Sequence, residues 1–65
     1  MNEHEKLKHL LHHWMEHNQE HAEVYREWAE KLSSSGNMEL SKILSKLHQE
    51  TQKLNELFEA AIKVV

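Results

Sequence analysis

Ser33-Ser34-Ser35-Gly36-Asn37 is the one break in a chain otherwise built for helix. Gly36 is the only glycine of the 65 residues, and there is no proline. Glycine takes the left-handed conformation that closes a helix, and an asparagine just beyond it caps the next one. Upstream, Asn2 followed three residues later by Glu5 has the form of a capping box. The spacing of these signals predicts a single domain over residues 1–65, with helix 1 over about 3–34, a turn at 35–37 and helix 2 over about 38–63. Leu, Glu, Lys, His and Ala dominate the composition between the signals, and these residues favour helix.

Working outward from the turn, helix 1 gathers Leu7, Leu10, Leu11, Trp14, Tyr25, Trp28, Ala29 and Leu32 into one broad stripe. His17, Asn18 and His21 fall inside it. Helix 2 carries Leu40, Ile43, Leu44, Leu47, Leu54, Phe58, Ala61, Ile62 and Val65, interrupted in the middle by Glu50 and Thr51. An antiparallel fold around residue 35 sets position i opposite about 70 − i, because both helices rise equally per residue. Asn18 to His21 then stand level with about residues 49–52, so the polar breaks of the two stripes coincide. The expected fold class is all-α: an antiparallel two-helix hairpin. A lone hairpin leaves the flanks of both stripes wet, so two hairpins are expected to pair into a dimeric four-helix bundle.

Cysteine is absent, so disulfides are excluded as a source of stability, and a domain this small buries a modest share of its surface. The net charge of −3 with neutral histidine speaks against a nucleic-acid module, which carries a basic stripe. Protonating the seven histidines takes that −3 to +4, so charge-dependent behaviour is expected to change in acid. No apolar run approaches the roughly 20 residues of a membrane span. The N-terminal stretch lacks the apolar core of a signal peptide, and a cytoplasmic location is the expectation.

Six of the seven histidines lie within the first 21 residues, and His9, His13, His17 and His21 are spaced four apart. Residues four apart stack on nearly one face of a helix. A histidine pair at this spacing can bite one metal ion, with both imidazole nitrogens at about 2.0–2.1 Å for zinc. His17 and His21 are the expected ligands. His13, Glu20, and Glu50 from helix 2 are candidates to complete or orient the shell, as is a residue of a second subunit. Nitrogen and oxygen donors without thiolate suit a divalent transition metal: zinc, nickel, cobalt, copper or iron. Residues 1–32 hold seven acids against four bases, an excess that favours a cation nearby. His4, His9 and His12 point outward and are expected to be solvated. His48 sits at the edge of the helix 2 stripe.

Other readings stay open beside the metal. A metal-free layer of His, Glu and Asn that specifies helix pairing would make the chain a dimerisation or docking module with a possible larger protein partner. Axial histidines from two subunits would hold a haem, but the region from Trp14 to Tyr25 looks too filled for its slot. An enzyme has the least support. The zinc-protease motif needs glutamate directly after its first histidine, where this chain has Asn18 after His17, and no activated serine, cysteine or phosphate loop is present.

The run His13-Trp14-x-Glu16-His17-Asn18-x-Glu20-His21-Ala22, followed by Tyr25, Trp28 and Ala29, resembles the opening of a small helical-hairpin domain of unknown function from archaea and anaerobic bacteria. The resemblance covers most of the chain and is strongest over residues 10–29. It implies that His13, Glu16, His17, Asn18, Glu20 and His21 matter as a set, and it implies no activity.

Overall fold

A computed structural model describes residues 2–65. It consists of two helices, α1 (Glu3–Ser34) and α2 (Met38–Val64), packed as a hairpin with extents of 51 × 16 × 10 Å. Local chemistry accounts for each end. Asn2 Oδ1 accepts from the Glu5 backbone N–H at 2.8 Å and caps α1. At the turn, Gly36 has φ 92°. Its N–H donates to the Ser33 carbonyl at 3.3 Å, and the Asn37 N–H donates to the Leu32 carbonyl at 3.0 Å. This pair of bonds is a Schellman closure, which satisfies carbonyls that the end of a helix would leave orphaned. Asn37 Oδ1 then accepts from the Leu40 N–H at 3.4 Å and opens α2. The three-residue turn forces the helices antiparallel and fixes their register.

That register matches the expected pairing of i with about 70 − i. Ser41 donates its hydroxyl to the Ala29 carbonyl at 2.7 Å, and His48 Nδ1 donates to the Ala22 carbonyl at 2.7 Å. One level further along, Asn18 Nδ2 donates to the Thr51 carbonyl at 2.7 Å and to Asn55 Oδ1 at 2.9 Å. Ser41, His48 and Asn55 recur every seven residues, the repeat of a helix seam that stays against its partner. On α1 Leu11, Met15, Asn18, Ala22, Tyr25, Ala29 and Leu32, all buried or half-buried, alternate in steps of four and three, as such a seam requires, with Leu10 and Arg26 half-buried beside them.

The composition of the seam corrects one expectation. The apolar residues of each helix do not form one inward stripe. They divide between the seam and a second face. Among the described residues the buried positions are small or polar: Ala22, Ala29, Ser41 and Thr51. Ala22 and Ala29 lack side chains long enough to hold the helices apart, and the hydrogen bonds from Ser41 and His48 reach the α1 backbone at these two residues. Trp14, Trp28, Ile43 and Leu47, among the large apolar residues expected inside, are 41–58% exposed.

The second face follows from helical geometry. Trp14, Val24 and Trp28 each precede a seam residue by one position, as do Leu40, Ile43, Leu47, Leu54 and Leu57 on α2. One residue back along a helix is a turn of about 100°. Because the helices run in opposite directions, these two rotations carry both rows to the same side of the hairpin. His17 and His21 on α1 and Glu50 on α2 belong to these rows, so they lie on the outer face instead of in the interhelix core.

Candidate metal centre

The polar layer between the helices forms at the expected height but with different members. Asn18 and Thr51 take part, and Asn55 and His48 join them through the bonds above. Glu50 does not. Its carboxylate is ion-paired with Lys46 at 3.1 Å and Lys53 at 3.5 Å. The Lys46 hydrogen bond, then the charge of Lys53, hold the Glu50 carboxyl below its ordinary range. Asn55 was not singled out from the sequence, because a lone asparagine in a polar stretch of helix carries no signal by itself. The seven-residue spacing of Ser41, His48 and Asn55 is the signal that would have found it.

On the outer face, α1 presents its imidazoles in a row. His13 Nε2 and His17 Nε2 lie 3.1 Å apart, with ring centroids 4.4 Å apart and planes at 73°. Two nitrogens bound at about 2.05 Å to one tetrahedral zinc stand about 3.3 Å apart. The pair is therefore near the bite of a chelate. Within the pair one Nε2–H donates to the other Nε2. On the far side of the same ring, His17 Nδ1 is 3.9 Å from Glu20 Oε2. That is ion-pair range, longer than a hydrogen bond. A carboxylate on this side favours a proton on Nδ1, which leaves the Nε2 lone pair for a metal. The His17 and Glu20 side chains are 54% and 74% exposed, so an ion reaches them directly from solvent.

His21, one turn further, stacks on Tyr25 with centroids 6.2 Å apart and planes at 17°. The structure thus brings together His13, His17 and Glu20, sets His21 next in the row, and leaves Glu50 with its lysines. Among the described residues no group of three or more His, Asp or Glu side chains converges on one metal position. His13 and His17 thus offer two imidazole nitrogens at chelating distance, with no third donor converging on them among the described residues.

Two surface ion pairs flank this region. Arg26 bonds to Glu23 and, at 2.6 Å, to Glu30. The Arg26 hydrogen bond holds the Glu23 carboxyl below its ordinary range, and Glu23 in turn raises the Arg26 guanidinium. These are exposed helix-face pairs, and each stabilises only weakly. No described helix is long and apolar enough to cross a membrane.

Comparison with known proteins extends these observations. The model of a family described as "Domain of unknown function (DUF8180)" matches residues 7–65. An uncharacterized protein of Archaeoglobus fulgidus is 38% identical over 61 residues, which span 94% of this chain and 97% of that relative. No solved structure matches. The resemblance to a small domain of unknown function agrees with both matches.

Proposed function

The chain belongs to the DUF8180 family of domains of unknown function, and we propose that it binds a divalent transition metal through the α1 imidazole row His13, His17 and His21, with Glu20 beside it. The observation that carries this reading is the approach of His13 Nε2 and His17 Nε2 to 3.1 Å on an exposed helix face. An i, i+4 pair held on rigid helix loses little freedom on chelation, and Glu20 orients the central imidazole. The donor set suits zinc, nickel, cobalt, copper or iron. Binding, with no reaction attached, fits buffering, sensing or delivery of the ion.

The test is titration of untagged, chelator-treated protein with Co²⁺ and Zn²⁺, followed by absorption and calorimetry. His17→Ala is expected to remove the tight binding, and His4→Ala to leave it intact. Equal affinity in His17→Ala and the wild type overturns the assignment.

A second reading has its own support in the exposed apolar face: a metal-free dimerisation or docking module. Under it, chelators leave the assembly unchanged and added metal gives no rise in melting temperature. A ligand that binds the folded state alone must raise that temperature by mass action.

A further inference from the structure

We infer that a second copy of this chain covers the outer apolar face, α1 against α1 in antiparallel, about a two-fold axis level with residue 19, so that His17 and His21 of both copies meet at its centre. The inference rests on the metal-binding reading only for the ion; the pairing stands on separate observations.

The first observation is the symmetry of the face. On α1, Leu10 and Trp28 lie equally far from residue 19, as do Trp14 and Val24, and His17 and His21. A two-fold axis through that level sets apolar against apolar and imidazole against imidazole. On α2, Leu47 and Leu57 lie equally far from residue 52, as do Ile43 and Ala61, while the innermost pair sets Glu50, held by Lys46 and Lys53, against Leu54. The hairpin register places residue 19 of α1 level with about residue 51 of α2, within one residue of that second centre. The outer rows of the two helices thus place matched residue types about one common level, and a two-fold interface requires each patch to complement itself.

The second observation is area. The chain exposes 5139 Å². A compact monomer of its mass exposes about 4,400 Å². The excess, about 700 Å², is close to the roughly 800 Å² that each partner buries in a standard interface. The third is the ligand set: among the described residues of one chain no three ligands converge, and Lys46 and Lys53 hold Glu50. Two copies bring four imidazoles to the axis, the number that a tetrahedral structural site takes.

The experiment is sedimentation equilibrium of the full chain with and without Zn²⁺, with metal counted per chain. The expected result is a dimer holding one ion per two chains. Leu47→Glu, on α2 and outside the α1 imidazole row, is expected to give a helical monomer that binds Zn²⁺ at least tenfold more weakly. His21→Ala is expected to keep the dimer and lose the shared ion. A dimer that binds no ion supports the pairing and sinks the metal reading. A wild-type monomer at micromolar concentration, or one ion per chain with no change of mass, overturns the inference. Should Leu47→Glu lose its helical circular dichroism, Leu57→Glu at the opposite end of the face, 68% exposed, is read in its place.

Discussion

The side chains that matter most for folding are short and polar. Ser41 donates across the seam to a main-chain carbonyl, and Ser41→Ala removes that bond without changing shape much. The expected loss is about 1 kcal/mol, read by urea denaturation. Asn18 uses both hydrogens of its amide, so Asn18→Leu strands Asn55 Oδ1 and puts an apolar side chain among polar partners between the helices. A larger loss, about 2–3 kcal/mol, is expected there. Gly36 has open space where a Cβ would stand, so Gly36→Ala meets only the backbone strain of φ 92°. That strain is on the order of 1 kcal/mol. If Gly36→Ala is neutral, the left-handed closure of α1 is not what sets the turn.

At the scale of the helices, the ends and the register were legible in the sequence, because caps and turns are chosen by neighbours within a few residues. Asn2, Gly36 and Asn37 each do what their position implies. The heights of Asn18 and Thr51 were legible too, since they follow from counting outward from the turn. The choice of face was not. Trp14 and Met15, Trp28 and Ala29, Ile43 and Leu44 are adjacent apolar pairs, and periodicity alone does not say which member turns inward. Size misleads here, because close helix approach selects Ala22 and Ala29 and sends the tryptophans outward. The same confusion placed His17 and His21 in the core, and it drew Glu50 into the candidate site. Glu50 instead braces α2 with Lys46 and Lys53. Its carboxyl titrates lower in the folded chain, so this support is present above the ordinary carboxylate range and is lost as pH falls through the folded value. The difference in melting temperature between wild type and Glu50→Gln is therefore expected to shrink from pH 6 to pH 3.

For the whole molecule, the balance between core and surface is unusual. No large side chain among the described residues is fully buried, and domains of this size seldom stand on one thin seam. A melting temperature that rises with protein concentration is the expected consequence of pairing, because association draws on the folded state alone. Scanning calorimetry over a hundredfold range of concentration reads it directly, and a constant value places all the stability within one hairpin.

The seam bonds from Ser41 and His48 end on main-chain oxygens of α1. A main-chain oxygen survives any substitution at its residue, whereas a donor does not. Inheritance is therefore lopsided across the hairpin. A descendant can exchange Ala22 or Ala29 for another small residue and keep its helices aligned, but a change at Ser41 or His48 to a residue without a donor at that reach removes the contact.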